Sequence, residues 1–590
     1  MERITLSIIA ALLVFVASIN AQQVGSASIH APAVITSAEV GTLTTISLNV
    51  TAGSGEVTVT GPSSVGSSTI SSARTAAAYA SKYLGINENS YNFYYVIHDM
   101  NVSVSGPSAG LAFTVLAISA LSHTPLISNF TLTGTISYNG SVGLIGGIYD
   151  KAGIAAEDKM NFIIAPFADN GSLERFMYYI TQQHYNIPIV MVANVSQALP
   201  YVYGLEQPRK MSYSIAENYN LRALPEANMS CASCNLTAFS ELTNFTLNFT
   251  RQAIEGISGN YSQLKSQMLN DMSQYSEIAR KGYLYTAADD SFLTFINAFL
   301  LENVNDTNTT AARSLIANVS NYCSMQTPPQ LTSTNYEYVV GGEMRQELGN
   351  LTASSALEIL NTSQTTDGVI ESIYTAASAE GWCLAANKMY SLAAAMNGTP
   401  VATSSSLAQA AASAIDNASA YGPSAYLNAA IAEYRAGNYA AAIYAADYAD
   451  VLDNTLLSGN YTTSQLESLA AANIANATTG IWPVEFALQA KFYITEGSIG
   501  GALNKSMMQE GYIISVLADK MAVADSTISG SFIGAAYAPS SQQLVYLQNE
   551  VNQIYYLLVL VAILLIAILI ILLAMLLKGY GSNAKKRRIR

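Results

Sequence analysis

From residue 31 to 61 apolar and small polar residues alternate, with Gly and Thr interspersed, which is the period of half-buried strands. Residues 71–84 change period and place Ala and Tyr at helical spacing. Residues 92–104 return to a strand pattern that delivers the chain into Ser105-Gly-Pro-Ser-Ala-Gly. An unbroken, mostly apolar run follows at 111–121 and predicts a buried helix. Residues 130–137 and 141–145 alternate again on either side of Asn139-Gly140, a two-residue signal for a type I′ hairpin. Strands and helices in this order, with antiparallel pairs, predict an α+β domain.

Beyond residue 209 the pattern becomes helical through to about 540, rich in Ala, Ser, Asn and Tyr. Residues 424–452 are similar to one tetratricopeptide-type hairpin, with small residues between the helices and Gly437-Asn438 at the turn. Residues 275–301 and 376–396 are candidates for further hairpins. No fixed period links them, so a repeat array and an irregular bundle both remain open. Two further runs lie at the ends. Residues 4–19 are apolar behind Met1-Glu2-Arg3, and with Ile19-Asn20-Ala21 they predict a signal peptide over 1–21, the rival being an uncleaved anchor. Residues 555–577 are uncharged and apolar, long enough for a transmembrane helix.

Composition sharpens this picture. Half of the 590 residues are hydrophobic and 11% are charged, so a sizeable core is available. Six of the 26 basic residues lie in the tail 578–590, beyond the last acidic residue. The remainder sets 20 basic against 40 acidic side chains, a balance that argues against nucleic-acid binding. A basic tail after an apolar span predicts a cytoplasmic C-terminus with the large N-terminal part outside the cell. Asn-x-Ser/Thr acceptors at Asn228, Asn235, Asn244, Asn248, Asn305, Asn350, Asn417 and Asn460 fit that location. So do Cys231, Cys234, Cys323 and Cys383, enough for two disulfides; the rival is a redox role for Cys231 and Cys234. No zinc-spaced cluster or Walker A loop occurs, so neither a metal nor another cofactor is expected.

The chemistry concentrates on one serine and one lysine. Gly-Pro-Ser108 places a hydroxyl at the N-terminus of the buried helix, where backbone N–H groups of Ser108 and Ala109 and the helix dipole favour an oxyanion. Lys151 follows Gly146-Gly147 and is the only Lys or Arg between Lys82 and Lys159. A lysine in apolar surroundings binds its proton more weakly, and the neutral amine can then serve as base toward a serine.

These residues resemble the proteolytic domain of the Lon family of serine proteases, in which a GPSAG serine and a lysine in a GG-x-x-x-K segment form the catalytic dyad. The resemblance covers residues 28–207 and includes VTVTGPSSVGSSTISSARTAAAYASKYLG before the serine and AGIAAEDKMNFIIAP and IPIVMVANVSQALPYVYG after it. It implies a Ser108–Lys151 dyad supported by Thr133, whose hydroxyl would hold the amine. Ser105 and Thr135 stand where many members carry carboxylates, so fewer anions are expected around Lys151. It also raises a homo-oligomeric ring as an open question. The rival base is a histidine, with His98 foremost among His30, His98, His123 and His184.

Taken together, the sequence predicts an α+β Lon-type proteolytic domain (28–207), a mainly α-helical region (209–540), a transmembrane helix (555–577) and a basic cytoplasmic tail (578–590). The expected function is an ATP-independent serine endopeptidase, archaeal in character, acting outside the cytoplasm on extended or unfolded proteins or peptides. The alternative is a non-catalytic envelope scaffold or receptor built on the same domain.

Overall fold

The computed structural model describes residues 23–534, apart from 36–39, 62–63, 99–105, 170–171, 213–218, 229–230, 232–233, 305–307, 364, 455–456, 458 and 500–503. The signal peptide expected over 1–21 and the span expected at 555–577 lie outside the described residues. Among the described residues no helix is long and apolar enough to cross a membrane.

The alternating stretch at the N-terminus forms β1 (Gln23–Ile35), β2 (Val40–Ala52) and β3 (Val57–Thr60), followed after one helix by β4 (Tyr91–Ile97). β1 and β2 pair antiparallel with Ile29 opposite Ile46, so their apolar residues fall on one face. In β4 the buried positions Phe93, Tyr95 and Ile97 keep the same period. Short strands β5 (Thr131–Leu132), β8 (Ile163–Pro166) and β9 (Ile189–Val192) complete a mixed sheet in the order β3-β4-β2-β1-β5-β8-β9. β1, β5, β8 and β9 run parallel, and helices return the chain between them. The apolar run after the GPSAG turn forms the serine helix, Gly110–Ser122, buried from Gly110 through Ala120. A helix enclosed on every side needs no polar face, which is why this segment is apolar around its whole circumference.

The hairpin is real but its turn differs from expectation. β6 (Thr135–Ile136) pairs with β7 (Val142–Gly143), while Gly140 alone has a positive φ, 86°. Asn139 keeps a negative φ, and its Oδ1 instead accepts a hydrogen bond from the Ser141 N–H at 3.0 Å. With Ser137 N–H bonded to Ser141 O, this is a three-residue loop ending in a left-handed glycine rather than a type I′ turn.

From Leu236 the chain is helical, as the periodicity indicates. Ala425–Ala436 and Tyr439–Leu452 form the expected hairpin around Gly437, and Ser262–Arg280 packs against Leu284–Asn303 as another. Residues 376–396 do not form a hairpin. They belong to one 30-residue helix, Thr366–Ala395, because no glycine or proline with turn geometry interrupts them and Gly381 sits in close contact with Phe292. A small antiparallel pair, β10 (Val401–Thr403) with β11 (Phe532–Gly534), joins the last helix to the bundle. The disulfides are Cys231–Cys234 and Cys323–Cys383. One apolar core crosses the boundary between the two regions: Tyr149, Phe176 and Ile180 share it with Leu247, Tyr261 and Ile373.

Candidate active site

The turn that carries Ser108 is fixed from three sides. Gly106 adopts φ 126°, a conformation that disfavours any side chain, and sends the chain into a short 3₁₀ turn at Pro107–Ala109. The hydroxyl-rich start of helix Ser67–Leu84 grips this turn: Gly106 N–H donates to Ser68 Oγ (3.0 Å), Thr69 Oγ1 donates to Gly106 O (3.1 Å) and Ser72 Oγ donates to Pro107 O (3.2 Å). On the far side Gly134 N–H donates to Ser108 O (2.8 Å) and Leu111 N–H to Gly134 O (3.0 Å). The Ser108 backbone is thereby locked to the segment carrying Thr133.

Lys151 arrives from the opposite wall. Gly147, at φ 73°, starts the lysine helix, Ile148–Glu157, and Lys151 stands in its first turn. Its side chain is 4% exposed, and its amine donates to Thr133 Oγ1 at 3.2 Å. Thr133 in turn donates to Ser108 O at 3.4 Å. Ser108, Ala109 and Lys151 line one cleft of about 330 Å³, together with the Ala31–Val34 stretch of β1. Burial lowers the Lys151 pKa from 10.5 to about 8, opposed in part by the negative charge of Asp367.

The expectation of few anions near Lys151 needs correcting at that point. Asp367, from the start of helix Thr366–Ala395, accepts hydrogen bonds from Ile148 N–H (3.0 Å) and Tyr149 N–H (3.2 Å). Burial pushes its own carboxyl up to about 7, with Asp150 raising it further and the two N–H groups and Lys151 opposing. Sequence reasoning missed it because 219 residues separate Asp367 from Ile148. The grip of Ser68, Thr69 and Ser72 was also missed, although the run Ser67-Ser68-Thr69 carries a faint signal for it.

Among the described residues no histidine lines this cleft. His98 Nε2 lies 2.8 Å from Ser47 Oγ, and Thr44 Oγ1 donates to its backbone carbonyl. His30 contacts Thr45, His123 ends the serine helix in a left-handed conformation, and His184 packs against Tyr149 and Tyr185. Ser105 lies outside the described residues, and Thr135 sits in β6.

The family model of the Lon protease (S16) C-terminal proteolytic domain matches residues 19–202. The chain is 30% identical over 167 residues to a Lon protease of Buchnera aphidicola subsp. Schizaphis graminum, covering 27% of this chain and 21% of that protein. It is 34% identical over 134 residues to a Lon protease of Ureaplasma parvum serovar 3, covering 22% and 16%. It is 31% identical over 142 residues to the Lon protease of Escherichia coli (strain K12), covering 23% and 18%. The chain thus spans about a fifth of the length of the curated relatives it matches. These matches support a serine peptidase, and the family model falls on the domain that carries Ser108 and Lys151.

Proposed function

We propose that the chain is an ATP-independent serine endopeptidase working through Ser108 and Lys151. The observation that carries this reading is a buried amine of lowered pKa, held by Thr133 in the same cleft as Ser108. Neutral Lys151 takes the Ser108 proton as Oγ attacks the scissile carbonyl, and the backbone N–H groups of Ser108 and Ala109 receive the oxyanion. The ammonium then protonates the leaving amine, and an acyl-serine remains. Lys151 next takes a proton from water, whose oxygen attacks the ester carbon; the proton returns to Ser108 and the acid departs.

The substrate class that fits is an extended or unfolded polypeptide, because a cleft of about 330 Å³ takes a length of chain rather than a folded protein. Export and anchoring through residues 555–577, with the basic tail in the cytoplasm, belong to the same proposal and rest on the sequence pattern. The test is incubation of the full chain, purified in detergent, with unfolded casein beside Ser108→Ala. Cleavage by the native chain alone is expected. Equal cleavage by both marks a contaminant, and none by either favours the scaffold reading.

A further inference from the structure

Among the described residues the helical region enters the cleft at one place. Ser363 and Thr365, between helix Tyr336–Thr362 and helix Thr366–Ala395, line the same cavity as Ser108 and Lys151. Thr365 is the N-cap of the second helix, its Oγ1 accepting the Gly368 N–H at 3.2 Å. Two residues on, Asp367 directs its carboxylate at the start of a different helix, the one that carries Lys151. That helix begins on Gly147, which has no side chain to cap it, so its first N–H groups must find acceptors elsewhere. Asp367 supplies one oxygen to Ile148 and the other to Tyr149. The carboxylate therefore bridges the positive ends of two helices, its own and the lysine helix.

We infer that Asp367 is a positioning residue of the proposed peptidase, a clamp from the helical region that fixes the first turn of the lysine helix and so aims Lys151 at Ser108. This rests on the peptidase reading above. A cap on Ile148 and Tyr149 sets the helix phase at Lys151, two residues further along the same turn. The clamp works by charge as well as by geometry. The groups that face Asp367 are Asp150, Lys151 and Tyr149 on the lysine helix and Tyr178 and Tyr185 on helix Leu173–Tyr185. Burial holds all three tyrosines neutral through the working range. Asp150 raises the Asp367 carboxyl and Lys151 lowers it, so the carboxylate and the amine control each other's protons across the interface between the two regions.

The experiment uses the full chain in detergent with Asp367→Asn and Asp367→Ala, and Ser108→Ala as the blank. Casein turnover is followed across pH, and hydrogen exchange is followed on the peptide containing Ile148 and Tyr149. For Asp367→Asn the acid limb of kcat should move to lower pH, because an anion that favours the ammonium form is gone. For Asp367→Ala kcat should fall by as much as about 100-fold with KM nearly unchanged, as a misplaced base produces. Both variants should speed exchange at residues 148–149 while the rest of the chain keeps its protection. An unmoved limb and unchanged kcat in an active protein overturn the inference alone. Loss of activity with an unmoved limb and a general loss of protection overturns it in favour of a purely structural cap. Absence of Ser108-dependent turnover in the native chain sinks the peptidase reading, and this inference with it.

Discussion

In the proposed mechanism Lys151 acts as a base only if burial keeps its amine from holding a proton. A shift from 10.5 to about 8 is a stability statement as well as a catalytic one. Below pH 8 the lysine is protonated in both folded and unfolded chains, so folding carries the full cost of desolvating an ammonium. That cost is relieved as pH rises from about 8 to 10.5, where the folded protein alone has released the proton. Lys151→Met is therefore expected to be inactive yet more stable at pH 7, by about 3 kcal/mol less whatever the Thr133 hydrogen bond returns. In denaturant titrations its advantage over the native chain should vanish between pH 8 and 10.5. Lys151→Arg should be inactive at every pH, because a guanidinium cannot accept the Ser108 proton. The native rate should climb through pH 8, with the same limb in labelling of Ser108 by a serine-directed phosphonate. Near-normal turnover in Lys151→Met would return the role of base to a histidine, although none lines the cleft among the described residues.

At the scale of the element, the serine turn depends on a helix that contributes no chemistry. Ser68, Thr69 and Ser72 hold the backbone of Gly106 and Pro107 by three hydrogen bonds, of which Thr69→Val and Ser72→Ala would delete two. Each deletion should cost about 1 kcal/mol of stability. The double variant should lose turnover out of proportion to its fall in Tm, because the displaced residue carries the proposed nucleophile. Gly106→Ala adds strain at φ 126°, of order 1–3 kcal/mol, and should be more damaging still although open space surrounds the new methyl. Thermal unfolding measured beside casein turnover separates the two effects. The lysine helix is governed in the same way from its start: Gly147 turns the chain where a Cβ would also meet Val34 at 2.6 Å.

On the scale of the whole molecule, the two regions are joined by a shared core and by Asp367 rather than by the linker alone. Cys323–Cys383 closes a 60-residue separation inside the helical bundle, both sulfurs fully buried. Replacing both cysteines by Ala should destabilise the bundle by about 4 kcal/mol on the chain-entropy account. If the bundle steadies the lysine helix, calorimetry should show its transition falling and casein turnover at 37 °C falling with it; unchanged turnover in a destabilised bundle would separate the two regions functionally. The sequence by itself determined what depends on neighbours along the chain. The strand and helix periods of the first domain, the buried serine helix, the hairpin at Gly437 and the pairing of a Gly-Pro-Ser turn with an isolated lysine are all local patterns. Tertiary structure decided what depends on distant partners. The turn at Asn139 is a three-residue loop held from outside itself: Gly140 O accepts the Val195 N–H at 3.0 Å, and Ser141 bridges to Asn194. Residues 376–396 became part of one long helix because packing against Phe292 and Cys323 favoured continuity over a turn. Most of all, the carboxylate that caps the lysine helix came from Asp367, and no pattern in sequence can show it: a helix end buried without a cap of its own must find an acceptor, but only the folded chain chooses which one.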